Sequence, residues 1–399
     1  TAVGDYALQA TTGGSNTGIG GAALYSTTSG QYNTALGHSA LQSNTTASNN
    51  TAVGYEAGYS NTTGADNVSI GNNAGRLNTV SSSITAVGAG AAQHNTAHNT
   101  TALGYRALYN NTTGNGNVGL GKQTLYSNTT GTSNTAIGTY DQGAVISSLF
   151  SNTTGSYNVA MGNGSLFSNT TASRNTAVGY QASYSGAGSN STRNTSVGYQ
   201  ALYSTNGGYD NTAVGDTALK DNTTGISNVA VGQEALTNNT TASENTAVGY
   251  QSLYANTTGQ ENTAVGKGAL NYNTTANGNT AIGRMALNYN TTGAGNTAVG
   301  LQALISNQTA SDNTAVGKNS LSANTVSDNT AVGFSALTAN TTGRINTAVG
   351  KNSMLANTTG GDNSAFGGLT LDANTTGNSN TALGYASLSA STTASNNTA

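Results

Sequence analysis

The chain is built from one 17-residue repeat, close to N-T-A-V-G-Y-x-A-L-Y-x-N-T-T-G-x-x, that recurs along its whole length. Residues Asn245–Glu261 match this consensus almost completely. Positions 1 to 17 of each repeat are numbered as in that segment. Position 5 is Gly in all 23 repeats. A short repeat used this often predicts a stacked, quasi-one-dimensional structure rather than a globule around a pocket.

The repeat contains two short apolar runs, each followed by a turn signal. T-A-V is closed by Gly, and x-A-L-Y is closed by N-T-T-G. These lengths fit two strands of about five residues and two turns, whereas two packed helices need about 33 residues. Pro, which removes a ladder donor, does not occur in the sequence. The pattern predicts an all-β fold, a parallel β-solenoid or β-roll with one coil per repeat.

In such a solenoid, equivalent residues stack on one another at about 4.8 Å. We therefore expect an aliphatic ladder at position 4, a Leu ladder at position 9, and stacked Tyr rings at position 6 or 10. Asn at positions 1 and 12 is expected to form side-chain amide ladders. The invariant Gly at position 5 predicts a positive φ or a close backbone approach.

One coil of 17 residues can bury only a few apolar side chains, and this small core predicts self-association. In T-A-V, positions 2 and 4 share one face of the strand and position 3 the other. Because position 3 is consistently small, we expect its face to pack closely on a second chain. The sequence thus predicts a homo-oligomer, a trimer about a common axis.

The repeats are predicted to form one segment, residues 1–399, without capping repeats. Two repeats are longer than the rest, with extra residues near Asp141–Ser147 and near Ser185–Ser189. Because the next repeat resumes in register, these insertions are expected on surface turns. The chain starts and stops inside a repeat, which predicts that it is the repetitive part of a longer protein.

The N-T-A-V-G core, as in Asn245–Gly249 and Asn346–Gly350, resembles the N-S-x-A-I-G motif of trimeric autotransporter adhesin heads. The fuller phrase in Asn194–Tyr203 looks like repeats of tail-fibre-like proteins of phages and bacteria. The resemblance covers the whole chain. It implies a trimeric parallel β-roll and a location outside the cell, on the cell surface or on a virion.

Composition and motifs point away from catalysis. Only 6% of residues are charged, the formal net charge is −3, and Cys is absent, so neither a basic nucleic-acid surface nor a disulfide framework is expected. No apolar stretch approaches the 18 residues of a membrane span. His94 and His98 are four residues apart but lack nearby acids or Cys. We expect no catalytic residue, no cofactor and no metal site, and hence no enzyme.

The N-x-T triplets are the single candidate for chemistry, because they match the glycan acceptor pattern. One interpretation is a glycan on each Asn; the other is that Asn makes the turn and Thr caps it. The acceptor candidates, all at position 12, are Asn44, Asn61, Asn111, Asn128, Asn152, Asn169, Asn222, Asn239, Asn256, Asn273, Asn290, Asn307, Asn340, Asn357 and Asn374.

The pattern as a whole predicts a non-enzymatic fibre segment, a shaft or head that acts as spacer and adhesive surface. Its expected partners are further copies of itself and a cell-surface receptor or glycan. Two alternatives stay open: a filament that carries glycans on the N-x-T rows, and an ice-binding solenoid. Adjacent Thr residues in N-T-T would point to opposite faces, unlike a T-x-T row.

Overall fold

In a computed structural model, which describes residues 1–138, 147–186 and 190–399, the chain forms parallel β-solenoid coils with one strand per repeat. Strands and turns make up the described residues, without a helix, so none of them forms a helix able to cross a membrane. Contacts divide the chain into an N-terminal body, Thr1–Gly207, and a C-terminal body, Gly208–Ala399. The prediction of one segment over 1–399 stays a prediction.

Almost every strand spans positions 2 to 4 of the repeat, with the sequence T-A-V or a variant of it. The strands of the N-terminal body are β1 Ala2–Val3, β2 Thr17–Ile19, β3 Thr34–Leu36, β4 Thr51–Val53, β5 Val68–Ile70, β6 Thr85–Val87, β7 Thr101–Leu103, β8 Val118–Leu120, β9 Thr135–Ile137, β10 Val159–Met161, β11 Thr176–Val178 and β12 Thr195–Val197. Those of the C-terminal body are β13 Thr212–Val214, β14 Val229–Val231, β15 Thr246–Val248, β16 Thr263–Val265, β17 Thr280–Ile282, β18 Thr297–Val299, β19 Thr314–Val316, β20 Thr330–Val332, β21 Thr347–Val349, β22 Ser364–Phe366 and β23 Thr381–Leu383.

Within each body, consecutive strands pair in parallel, position on position. Thr246 of β15 is the partner of Thr263 of β16, and Val248 is the partner of Val265. The register continues across both longer repeats, since Thr135 pairs with Val159 and Thr176 pairs with Thr195. The predicted parallel solenoid with a 17-residue coil is therefore confirmed. The surface turns predicted for the insertions fall largely on 139–146 and 187–189, which lie outside the described residues.

The second apolar run is not a strand, and this part of the prediction was wrong. Residues of x-A-L-Y form successive turns, in which the Ser252 N–H donates to the Gly249 carbonyl at 3.3 Å and the Asn256 N–H donates to the Leu253 carbonyl at 3.2 Å. Leu253 has a left-handed φ of 51°. That conformation bends the chain inward, and single hydrogen bonds to the next coil replace a β-ladder there.

The core lies inside each coil and is made of position 3, position 8 and position 9. Ala247 of β15 and Leu253 are fully buried. Val248 at position 4 lies on the outer side of the strand and is half-buried. The expected aliphatic ladder at position 4 therefore exists, but it lies on the outer side of the strand and not in the core. The small residue at position 3 packs against the Leu ladder of the same chain. The expectation that the face of position 3 packs on a second chain was therefore wrong.

Candidate functional site

The Gly column at position 5 is a close backbone contact between coils. Gly249 has a φ of +130°, and a Cβ added to it would lie 2.8 Å from the carbonyl carbon of Gly266 in the next coil. Both predicted reasons for Gly, the positive φ and the close approach, are confirmed here. Since the same geometry recurs along the column, as at Gly266 and Gly350, coils of this shape require Gly at this position.

Two amide ladders run through the inside of the coils, as predicted for positions 1 and 12. The Nδ2 of Asn256 donates to the Oδ1 of Asn239 at 3.0 Å and to the carbonyl of Gly259 at 2.9 Å. The Nδ2 of Asn245 donates to that same Gly259 carbonyl at 2.9 Å. The two ladders thus meet on one backbone oxygen per coil and fix the N-T-T-G turn against the strand.

The position-12 ladder is interrupted where the next coil supplies no amide donor; after Asn307, for example, the Nδ2 of Asn324 donates to the Val326 carbonyl at 2.6 Å instead. The Oδ1 atoms of Asn169, Asn307 and Asn374 are buried without a partner among the described residues. After Asn374 the equivalent residue is Ser391, whose shorter side chain does not reach the amide. A continuous ladder therefore needs both Asn at position 12 and a turn of the regular length.

All fifteen glycan acceptor candidates belong to this ladder and lie inside the coil. Each is at most 2% exposed, including Asn44, Asn61 and Asn256. A glycan would occupy one of the two Nδ2 hydrogens, and in Asn256 both already donate hydrogen bonds. This geometry favours the structural interpretation of these Asn residues, and glycosylation stays a prediction for direct measurement.

The mass of a Thr258→Ala variant tests that prediction. Thr258 is exposed and completes the N-x-T pattern of Asn256, so the substitution removes the acceptor pattern and leaves the ladder intact. We expect the wild-type mass to be that of the bare 39.5 kDa chain, and the variant to differ from it only by the substitution. A larger loss of mass in the variant, after expression in a glycosylating host, would show that Asn256 carries a glycan.

Aromatic side chains at position 10 stack in six successive coils of the N-terminal body, as expected for a Tyr row. Neighbouring ring centroids are 5.2 to 5.5 Å apart, and the planes are within 12° of parallel. The rings are those of Tyr109, Tyr126, Phe150, Phe167, Tyr184 and Tyr203. Because each interior ring face is covered by the next ring, the row presents ring edges rather than faces to solvent.

In the N-terminal body, neighbouring groups or burial shift the pKa of Glu56, Tyr55 and Tyr184. The Arg76 guanidinium donates to Glu56 and holds the pKa of that carboxyl below its ordinary value. The hydrogen bond with Glu56 raises the pKa of Tyr55, and burial in the ring stack raises the pKa of Tyr184. Tyr55, Glu56 and Arg76 thus form one surface cluster, and Tyr184 lies apart from it in the ring stack.

The histidines are engaged in ordinary surface contacts. The His94 ring packs on Tyr109 with centroids 4.8 Å apart, and the His98 Nδ1 accepts a hydrogen bond from the Ser82 N–H at 3.0 Å. His38 stacks on Tyr55. Across 1–138, 147–186 and 190–399, no three His, Cys, Asp or Glu side chains are grouped closely enough to hold a metal ion.

The outer face of the strands carries a charge arrangement that the sequence analysis missed. In the C-terminal body, exposed acids at position 17 precede the strands, as Glu261 and Asp312 do, and exposed bases at position 6 follow them, as Lys267 and Lys318 do. Along the sequence these acids stand singly, far from one another. The signal was their shared repeat position, which places them on one edge of the stacked strands.

Comparisons with known proteins assign no family. The chain matches no protein-family model, and a search of the curated proteins found no match.

Proposed function

We propose that this chain is a non-enzymatic structural segment of a fibre, a spacer whose length is set by the number of its coils. The observation that supports it is the coil-on-coil register, in which Thr246, Ala247 and Val248 pair with the same positions of the next coil. Stability then comes from contacts between neighbouring coils, so coils are interchangeable building blocks. A spacer needs that property, whereas an active site needs unlike residues brought together.

The proposal extends to the setting of the fibre. The resemblance of the repeat to adhesin heads and tail-fibre-like proteins supports an extracellular, cell-surface or virion location, and an adhesive role toward a receptor or glycan. Association of several copies, with a trimer as the predicted form, belongs to the same proposal. The stacked rings at position 10 support adhesion through sugars poorly, because a sugar ring packs on an open aromatic face.

The ice-binding alternative has little support from the Thr rows of N-T-T. The Thr257 hydroxyl donates to the Thr274 carbonyl of the next coil at 3.1 Å, and Thr223 and Thr240 make the same bond to their own next coils. These hydroxyls serve the coil contact instead of facing water. The fibre segment is therefore the function that the geometry supports best.

An in-register deletion tests the spacer proposal. Because the chain has no Cys, Ser227→Cys and Asp362→Cys give two unique label sites, both exposed at position 17 and eight coils apart. Stacking at about 4.8 Å per coil predicts about 38 Å between them. Deleting residues 262–295, two whole repeats, is expected to leave the protein folded and to shorten this distance by about 10 Å.

The distance is measured by energy transfer between the two labels. The matched control deletes residues 262–270, about half a coil, which breaks the register and should cost the cooperative fold. If the in-register deletion unfolded the protein, or left the distance unchanged, the spacer proposal would be wrong.

A further inference from the structure

The outer face of seven consecutive strands, β15 to β21, is uniform and uncharged. Position 2 is Thr in every one of these strands and position 4 is Val or Ile. These side chains point away from the coil interior and are partly exposed, with Ile282 at 41%. Within residues 208–399, no protein group accepts from or donates to the seven Thr hydroxyls, Thr246, Thr263, Thr280, Thr297, Thr314, Thr330 and Thr347. We call this surface the strand face.

The strand face has one acidic edge and one basic edge. The acidic edge consists of the exposed position-17 residues Glu244, Glu261, Asp312, Asp328 and Asp362. The basic edge consists of the exposed position-6 residues Lys267, Arg284, Lys318 and Lys351. Asp328 is paired within the chain to Arg344 at 2.7 Å, so it contributes least to the acidic edge.

Two strands have an acid just before the strand and a base just after it. Glu261 precedes β16 and Lys267 follows it, and Asp312 precedes β19 and Lys318 follows it. The aromatic neighbours of these lysines help to hold them at the edge, since the Lys267 ammonium lies 5.3 Å from the Tyr250 ring centre and that of Lys318 lies 5.9 Å from Phe334.

We propose that the strand face is a self-association surface that binds a second copy of this chain, with the two coil stacks parallel. A two-fold axis along the stacking direction sets each coil opposite its own copy and reverses the strand direction across the interface. Glu261 then faces Lys267 of the second copy, and Asp312 faces its Lys318. An antiparallel pair would set acidic edge against acidic edge.

A second copy is the occupant because it alone repeats the required spacing. Its side-chain rows recur at the same interval of about 4.8 Å, so Thr and Val rows of the two copies interdigitate without losing register. Opposite charges at the edges select this orientation and disfavour the other. The uncharged strip between the edges supplies the apolar area that becomes buried.

The size of the strand face is sufficient for a specific dimer. Seven strands at about 4.8 Å extend about 34 Å, and the width from edge to edge at about 3.3 Å per residue is about 20 Å. Each copy would therefore cover about 700 Å², or about 1,400 Å² in total, which lies within the usual range for specific complexes. This inference rests on the proposed function only for its biological setting, and it assigns self-association to a two-fold pair on this surface in place of the predicted trimer.

Paired charge reversals test the arrangement. The first variant, Glu261→Lys with Asp312→Lys, places a base at both ends of β16 and of β19; the second, Lys267→Glu with Lys318→Glu, places an acid at both ends of these two strands. By sedimentation at low ionic strength, we expect a wild-type dimer and an association constant about tenfold or more lower for each variant alone. An equimolar mixture of the two variants should restore the dimer, and so should the fourfold variant, in which the charges at the two ends of β16 and of β19 are exchanged.

A matched control reverses two charges outside the strand face, Lys220→Glu with Asp221→Lys at positions 10 and 11. It should dimerise as the wild type does, and circular dichroism should show every variant folded. A monomeric wild type, variants that associate unchanged, a mixture that stays monomeric, or a trimer would each overturn the two-fold arrangement. In the spacer experiment the labelled chain is diluted with an excess of unlabelled wild type, so that energy transfer reports a distance within one chain and either proposal can fail while the other stands.

Discussion

A Gly249→Ala variant is expected to lose about 3 kcal/mol or more of unfolding free energy, although it adds one methyl group. A φ of +130° is open to Gly and strained for any other residue, which costs about 1–3 kcal/mol. The new Cβ would also lie 2.8 Å from the carbonyl carbon and 2.9 Å from the carbonyl oxygen of Gly266. Both atoms are backbone, so relief requires the coils to separate. Thermal and urea denaturation followed by circular dichroism measure the loss.

Gly278→Ala is the matched control for the Gly column. Gly278 has a φ of +66°, and a Cβ added there would meet no atom within 4 Å. The same position is Glu261 and Asp312 in other coils, with φ of 58° and 59°, so a side chain is accommodated. We expect a loss of about 1 kcal/mol, the lower end of the cost of a left-handed residue, because no clash is added. Equal losses at Gly249 and Gly278 would contradict the role given to the coil-to-coil approach.

An Asn256→Asp variant is expected to lose about 3–5 kcal/mol despite its nearly identical shape. The substitution replaces a donor by an oxygen that faces two acceptors, the Asn239 Oδ1 and the Gly259 carbonyl. One carboxylate oxygen keeps the hydrogen bond from the Asn273 Nδ2 at 2.9 Å, but the other has no donor, and its buried charge adds a desolvation penalty to the two lost bonds. Denaturation of wild type and variant side by side measures the difference.

The pH dependence of that loss identifies its cause. Burial beside acceptors raises the pKa of the introduced carboxyl, so its neutral form is favoured in the folded chain. The neutral form donates one hydrogen bond again, and the loss relative to wild type should therefore be smaller at pH 4 than at pH 8. A loss independent of pH would point to packing instead of the missing donor.

Asn277→Asp is the control for the amide ladder. Asn277 is exposed, and its Oδ1 accepts a hydrogen bond from the Gln260 N–H at 2.7 Å. Asp keeps an acceptor at that place, and water solvates its charge. We expect a change within about 0.5 kcal/mol, as for ordinary surface substitutions.

Much of the coil could be predicted from the repeat, because stacking makes equivalent residues neighbours. The Gly column and the Asn ladders follow from that rule alone, and Gly249 and Asn256 behave as expected. Which side of a three-residue strand faces inward does not follow from it. Ala247 and Val248 both suit a half-buried strand, and the inward turn at Leu253, which decides between them, depends on a left-handed φ that Leu rarely adopts.

The charged edges can be predicted from the sequence only when each residue is assigned its repeat position. Glu261 and Lys267 look unrelated along the chain, separated by five uncharged residues. The strand between them keeps them at opposite ends, and stacking then adds each to its own row. Spacing along the sequence does not indicate this arrangement, because the members of each charged row are about 17 residues or more apart and become neighbours only when the coils stack.

The ring stack of the N-terminal body has an optical consequence. Its aromatic rings lie nearly parallel at 5.2 to 5.5 Å, close enough for their electronic transitions to couple. The chain has no Trp, so Tyr dominates its near-ultraviolet absorption. Excitation absorbed by Tyr184 can pass to Tyr203, which makes this row an intrinsic chromophore array. Loss of its circular-dichroism couplet would report melting of these coils without any added label.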